Sequence, residues 1–302
     1  MFEILFLGTA AAVPSKARSM PCIALRHRSG VAIFDCGEGA QRQFMFSPFS
    51  FMKVDWVFLT HLHGDHVLGL PGLLQTMSLS GRDRPILVVG PGGTGESVRK
   101  MLDSCMGTLA YGLEVVDAAP GDSFECEGFT VTAVETEHVV ESLGYVVEGE
   151  GTRGRFDREK ALSLGLEPGN DFSRISDGET VKGVVPEEVL GPAKPGMRIV
   201  ISGDTVPTPA IAEACRGADL LIHEATFMGS ERDVADATGH TTAGAAAEIA
   251  KAAGVRHLIL THISNRYDGA ELAAEAAAVF PGALAAADMD HFRLTRKGLK
   301  SI

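Results

Sequence analysis

Val54-Asp55-Trp56-Val57-Phe58-Leu59 runs directly into Thr60-His61-Leu62-His63-Gly64-Asp65-His66, and reading this stretch decides the fold. The first part reads as a buried strand, so the polar cluster begins where the strand ends, on a loop held by a rigid scaffold. His61 and His63 are two apart. In extended backbone such residues point the same way, so both imidazoles can reach one ion. Gly64 permits a sharp turn, past which Asp65 and His66 can face a second position. Nitrogen and carboxylate donors together suit zinc. Solvated or core-satisfied histidines would not need several ligand types at fixed offsets.

The pattern T-H-x-H-x-D-H after an apolar strand resembles the metallo-β-lactamase superfamily. That resemblance implies an α/β protein, an αββα sandwich of two mixed β-sheets with outer helices, holding one or two metals at its edge. It names a superfamily only, and the reaction has to come from elsewhere in the chain.

The chain has 302 residues, of which 45% are hydrophobic. That suits a single domain, 1–302, with an insertion. The N-terminal Met1-Phe2-Glu3-Ile4-Leu5-Phe6-Leu7 lacks a basic region and reads as a short strand, neither a signal peptide nor a membrane span. Five cysteines, Cys22, Cys36, Cys105, Cys126 and Cys215, are an odd number without a C-x-x-C pair. Reduced thiols and a cytoplasmic protein with no membrane partner are the expectation. A net charge of −12 argues against a protein that coats itself in nucleic acid, but not against a local site for one phosphate.

Along the chain, strands are expected at Phe2 to Leu7, Cys22 to Arg28 and Val31 to Phe34. Asp35-Cys36-Gly37-Glu38-Gly39 then forms a tight strand-to-helix turn, with Asp35 placed to accept hydrogen bonds from backbone or from a metal ligand. Val67 to Leu79 reads as one glycine-interrupted helix. Gly90-Pro91-Gly92-Gly93-Thr94-Gly95-Glu96-Ser97 looks like a phosphate-cradling loop, but Glu96 stands where the lysine should be, so a junction capped near Thr94 is the better reading. Short strands follow from Leu113 to Val134 and from Leu143 to Glu148. Gly149 to about Gly196 is rich in Gly, Pro and charge, with one amphipathic segment at Asp157 to Leu164. It is expected to be a protruding arm. Afterwards strands end at Asp204, His223-Glu224 and His262, and Thr241 or Thr242 opens an alanine-rich helix.

Seven residues form a two-metal set. His61, His63 and His138 would hold one ion, and Asp65, His66 and His262 the other, with Asp204 bridging. Two Zn2+ ions about 3.5 to 4 Å apart, or Mn2+ or another divalent ion, would activate water and clamp a displacement at phosphorus. His240 is left over and free to act as a general acid. Glu224 could orient it. Arg18 and Arg266 are further candidates for supporting or substrate contacts. His223, His257 and His291 read as structural.

Phe34-Asp35-Cys36-Gly37-Glu38-Gly39-Ala40-Gln41-Arg42-Gln43, His223-Glu224-Ala225-Thr226-Phe227, Gly239-His240-Thr241-Thr242 and His262-Ile263-Ser264-Asn265-Arg266-Tyr267 together resemble the ribonuclease Z family, over essentially the whole chain. Lys160 to Gly169 and Gly178-Glu179-Thr180-Val181 resemble that family's tRNA-gripping arm, though Gly169-Asn170 stands where Gly-Pro is usual, and Ser19 where asparagine is. The resemblance implies a zinc-dependent endoribonuclease that removes the 3′ trailer of precursor tRNA and leaves a 3′-hydroxyl on the tRNA. It makes Asp65 the proton acceptor for the attacking water and places His240 at the leaving oxygen. It also implies a homodimer. The alternative is a general metal-dependent phosphodiesterase or other small-molecule hydrolase of the same fold. A non-catalytic RNA-binding subunit is disfavoured because every ligand position is filled.

Overall fold

A computed structural model describes all residues, Met1–Ile302. Fifteen strands form two sheets. The first sheet is built from β1 (Phe2–Gly8), β2 (Cys22–His27), β3 (Gly30–Phe34), β4 (Val54–Phe58), β5 (Ile86–Gly90) and β6 (Leu113–Asp117). The second begins with β7 (Ser123–Cys126), β8 (Phe129–Glu135), β9 (Leu143–Gly149), β10 (Arg198–Ile201), β11 (Leu220–Glu224), β12 (Leu258–Thr261) and β13 (Leu284–Ala285). The chain then returns to the first sheet with β14 (His291–Thr295) and β15 (Gly298–Ser301). The orders are β15-β14-β1-β2-β3-β4-β5-β6 and β13-β12-β11-β10-β9-β8-β7. Both sheets are mixed. The first turns from antiparallel to parallel at β3, and the second does so at β10.

This αββα architecture follows from which faces are apolar. The first sheet buries Leu5, Leu7, Ile33, Val57 and Val88 against helices Ala40–Phe46 and Leu70–Leu79. The second buries Val200, Leu221 and Leu258 against the alanine faces of helices Ala243–Ala252 and Gly269–Val279. Between the sheets the aromatic rings of Phe34, Phe58 and Tyr145 pack with centroids 5.4 to 5.7 Å apart. The Tyr145 hydroxyl donates to the Leu59 carbonyl at 2.6 Å, tying one sheet to the loop of the other.

Several expectations are refined. Val67 to Leu79 is two helices, Gly64–Val67 and Leu70–Leu79. The break falls at Gly69, where a Cβ would lie 2.0 Å from the Gly37 carbonyl oxygen. Pro71 in the following turn belongs to the new helix start. Helix Thr94–Ser104 has its cap at Gly93, next to Thr94 as expected, and Asp117 at the end of β6 accepts from the Gly93 and Gly95 N–H groups at 2.9 and 2.7 Å. Thr242 is the cap of the alanine helix. No helix is long and apolar enough to cross a membrane.

The chain divides into two compact units, Met1–Glu148 with Arg198–Ile302, and Gly149–Met197. The smaller one has a core of its own, with Ala161, Leu166, Ile175, Val181, Val184 and Val189 packed with Phe156 and Phe172. Helix Arg158–Ser163 starts at Asp157, whose carboxylate accepts from the Lys160 N–H at 3.0 Å.

Candidate metal centre

β4 lies between β3 and β5 with Val54, Val57 and Phe58 buried, so the residue after it leaves the sheet at a fixed place. There the Thr60 N–H donates to Asp35 Oδ1 at 2.8 Å, and the Thr60 carbonyl accepts from the Leu143 N–H at 2.7 Å. His61 and His63 follow. Gly64 then opens the one-turn helix that carries Asp65 and His66. The remaining histidines and acids come from strand ends: His138 beyond β8, Asp204 beyond β10, Glu224 at the end of β11 and His262 beyond β12. Asp35 (φ +60°) and His262 (φ +52°) both adopt left-handed backbone, a conformation retained where the surroundings over-determine it. For His262 those surroundings include the next residue, since Ile263 exchanges backbone hydrogen bonds with Thr9 and Ala11.

All seven residues expected as ligands converge. His61 Nε2 lies 2.9 Å from His63 Nδ1, which lies 3.3 Å from His138 Nε2. Asp65 Oδ2 is 3.5 Å from His66 Nε2 and 3.6 Å from His262 Nε2. Asp204 Oδ2 is 3.3 Å from both His66 Nε2 and His262 Nε2 and 3.8 Å from His61 Nε2, so a single oxygen faces both groups. A tetrahedron with ligand bonds of about 2.0–2.2 Å has edges of about 3.3–3.6 Å, which five of these seven separations match, the His61–His63 pair at 2.9 Å and the His61–Asp204 pair at 3.8 Å falling on either side.

The outward nitrogens agree with that fit. His138 Nδ1 donates to the Gly239 carbonyl at 2.7 Å, a bond only an N–H can make, so Nε2 is left with its lone pair turned inward. His66 Nδ1 donates to Asp35 Oδ2 at 2.8 Å; burial disfavours its charge, but Asp35 and Asp204 more than reverse this and favour a second proton on Nε2, which a divalent ion would have to displace. Burial and the neighbouring imidazoles push His61 down to about 2, so its imidazole is neutral. Burial works against the charge on Asp65, but His262 and His66 overcome it and hold the carboxyl well below its usual range. Neutral imidazoles and ionised carboxylates are the forms that bind a divalent ion.

His240 stands beside the cluster, its Nδ1 2.9 Å from Glu224 Oε1. Burial pulls its pKa down, but the hydrogen bond and charge of Glu224, helped by Asp204, raise it to about 9. Glu224 is buried and also accepts from the N–H groups of Thr205 and Thr226 at 3.1 Å each. Arg266 lies at the rim. Its guanidinium is 5.7 Å from the Phe227 ring centroid and pairs with Glu231 at 2.9 Å. Arg18 is turned to the scaffold, donating to Thr9 Oγ1 at 2.6 Å and to the Ala286 carbonyl at 2.7 Å. His223, His257 and His291 stand outside the cluster. Two contacts escaped the sequence reading. The Ala12 N–H donates to Asp65 Oδ2 at 3.0 Å, and Thr226 Oγ1 sits 2.8 Å from His262 Nδ1. The first joins residues far apart in sequence and had no local signal. The second stands in the His-Glu-Ala-Thr motif, where a hydroxyl two residues after the acid was the available sign. A cleft of about 490 Å³ opens beside the cluster, lined by Pro14, Met20, Glu38, His63, Asp65 and Leu68.

A family profile described as a beta-lactamase superfamily domain matches residues 32–156 and 180–263. Ribonuclease Z of Methanosarcina acetivorans is 42% identical over 295 residues, 96% of this chain and 97% of that one. The chain belongs to the ribonuclease Z family. Other similar members include ribonuclease Z of Methanothermobacter thermautotrophicus, 44% identical over 93% of each chain. The crystal structure of the short form of human tRNase Z superposes with a TM-score of 0.72 at 29% identity, covering 97% of this chain and 99% of that one. As in the sequence reading, the family brings a metal-dependent hydrolase chemistry to this cluster, and the His/Asp groups match it with divalent-ion donor sets.

Proposed function

We infer that the protein is a metal-dependent endoribonuclease that cleaves precursor tRNA after the discriminator nucleotide, releasing the 3′ trailer. The observation that carries this reading is the convergence of the seven donor atoms, with His240 left over beside them, in a member of the ribonuclease Z family. His61, His63 and His138 would hold one ion and Asp65, His66 and His262 the other, with Asp204 facing both. Three-nitrogen and mixed nitrogen–carboxylate sets favour two Zn2+, with Mn2+ as a substitute. Bound there, the ions would lower the pKa of water and neutralise charge on the scissile phosphate.

The chain's own groups do the rest. Asp65, steadied by the Ala12 N–H, accepts a proton from the attacking water. His240 carries a proton at neutral pH and gives it to the departing 3′ oxygen as the phosphorus–oxygen bond breaks. The tRNA keeps a 3′-hydroxyl and the trailer a 5′-phosphate. Glu224 keeps His240 Nδ1 engaged, so Nε2 is the nitrogen that delivers the proton.

Gly149–Met197 is read as a substrate-binding insertion in a single metallo-β-lactamase domain. Its sequence holds seven Lys and Arg against nine Asp and Glu, so bulk charge gives no attraction for RNA. Local placement can. Arg174 pairs with Glu179, and Lys182 with Glu167 and Asp171. Arg153 is spent on the Ser176 carbonyl. Arg155, Arg158 and Lys160 line one groove of about 650 Å³ together with Asp157, Glu159, Glu187 and Glu188, and none of the three cations is held in an ion pair that would keep it from a phosphate.

A homodimer in which one subunit's arm serves the other's site completes the reading. It predicts that mixing an arm-less subunit with a His63→Ala subunit raises precursor tRNA cleavage above that of either alone. The cysteines, all free, with Cys22, Cys36 and Cys215 buried, suit a reducing cytoplasm. The function is tested by incubating the purified protein with precursor tRNA, with and without a chelator, and sequencing both product ends. A preference for a small phosphodiester over precursor tRNA would favour the general phosphodiesterase instead.

A further inference from the structure

Two threonines occupy equivalent chemical positions on opposite sides of the cluster. Thr60 gives its backbone N–H to Asp35 Oδ1 at 2.8 Å, and its hydroxyl lies 3.0 Å from both Asp35 oxygens. Thr226 gives its backbone N–H to Glu224 Oε2 at 3.1 Å, and its hydroxyl lies 2.8 Å from the same oxygen. Each carboxylate takes one histidine directly, His66 on Asp35 and His240 on Glu224. Each hydroxyl touches a second one, His61 Nδ1 at 3.0 Å and His262 Nδ1 at 2.8 Å; longer contacts run from Thr60 to His66 Nδ1 at 3.5 Å, and from Thr226 to the His262 carbonyl at 3.2 Å and His240 Nδ1 at 3.3 Å. Thr60, Thr226, Asp35 and Glu224 are all buried, so water does not substitute for these bonds.

We propose that Thr60 and Thr226 are paired positioning residues that fix the tautomers of His61 and His262. A hydroxyl has one proton. A carboxylate oxygen cannot donate, so each short hydroxyl–carboxylate contact is attractive only if that proton points at the acid. The hydroxyl oxygen then has only lone pairs left for the imidazole, and the imidazole must supply the proton from Nδ1. With Nδ1 protonated, Nε2 of His61 and of His262 presents a lone pair to the cluster, as a metal ligand requires. The two devices are alike in chemistry but not in chain path. Asp35 and Thr60 follow neighbouring parallel strands, β3 and β4, whereas Glu224 and Thr226 are two residues apart at the end of β11. Each serves a different half of the centre, since His61 belongs with His63 and His138, and His262 with Asp65 and His66.

The inference rests on the metal reading given above, and the experiment separates the two. Thr60→Val and Thr226→Val keep side-chain shape and remove the hydroxyl, whereas Thr60→Ser and Thr226→Ser keep the hydroxyl. Zinc affinity is measured by competition with a chromophoric chelator, and the tautomers of His61 and His262 by long-range nitrogen–proton NMR of the metal-free wild-type protein, since a bound ion would itself force Nδ1–H. Each Val variant is expected to weaken one of two bound zinc equivalents by about 10- to 100-fold, the usual effect of removing a group that orients a ligand. The Ser variants should restore it, and the wild-type spectra should show Nδ1–H on both rings. Val variants that bind both equivalents as the wild type does, or an Nε2–H form of either ring, would overturn the tautomer role and leave the metal reading standing. A wild-type protein that binds no divalent ion would remove the metal reading itself. Should a Val variant fail to fold, the wild-type spectra still decide the tautomers.

Discussion

The segment 60–66 and the arm 149–197 are both polar stretches in a largely apolar chain, and the chain supports them in opposite ways. Around 60–66, His61, His66, Asp204 and His262 are buried, and the outward nitrogens of His61, His66, His138 and His262 each meet an oxygen. In the arm a small core carries exposed cations, and Arg155, Arg158 and Lys160 are held by no ion pair. The donors expected to hold an ion are mostly buried, and four of the imidazoles are bonded at their outward nitrogen, because a buried polar atom left unpaired costs about 1–3 kcal/mol. The cations proposed to meet a long, variable polyanion are left without ion pairs on a small core of their own.

The largest break in that contrast comes from the rigid side. His63→Ala should abolish hydrolysis and lower metal content while leaving cooperative unfolding, because the sandwich cores do not include it. Full metal occupancy with activity retained would dismiss the ligand assignment. Next is His240→Ala, which should keep the metals and slow turnover by about 10²- to 10⁴-fold. The same variant should be far less impaired on a substrate whose leaving group needs no proton, and equal slowing on both would exclude the acid role.

Single changes on the adaptable side should cost less. Arg155→Ala, Arg158→Ala or Lys160→Ala should each weaken precursor tRNA binding and lower the salt slope by about one if that side chain meets a phosphate. An unchanged slope for all three would move the grip elsewhere. Smallest for activity, but visible in stability, is Glu3→Gln. Glu3 is buried and ties Arg26 of β2 to Arg293 of β14 across β1. Burial raises its pKa, but the two arginines more than reverse this and hold it below the usual 4.5. A depressed folded-state pKa means that this stabilisation is present above about pH 5 and is lost as the pH falls through the folded value. The variant should therefore be less stable by about 1–3 kcal/mol at neutral pH, with the gap closing below pH 4.5. Denaturant melts at several pH values measure it.

Much of this was legible because its signals are local. The strand at Val54–Phe58, the polar cluster after it and the capped start at Thr242 are all carried by neighbours within a few residues. The sheet pairing of β15, the bonds that Asp117 accepts from the start of a helix more than twenty residues earlier, and the Ala12 contact to Asp65 were not legible. These depend on which strand ends the fold brings together, and no spacing in the sequence encodes that. The arm gave a third kind of difficulty. Its apolar residues, Phe156, Ala161, Leu166, Phe172 and Ile175 among them, are too sparse to show a period, yet they close a core once short helices bring them to one side.

The most direct test of the central claim replaces residues 157–190 with a short Gly/Ser linker and compares kcat/KM for precursor tRNA with that for a small phosphodiester. The candidate metal centre and the proposed grip belong to separate compact units, so the small substrate should be cleaved as before, while tRNA cleavage falls and its salt dependence flattens. Unchanged tRNA cleavage would contradict the account and leave a phosphodiesterase without a tRNA-specific grip.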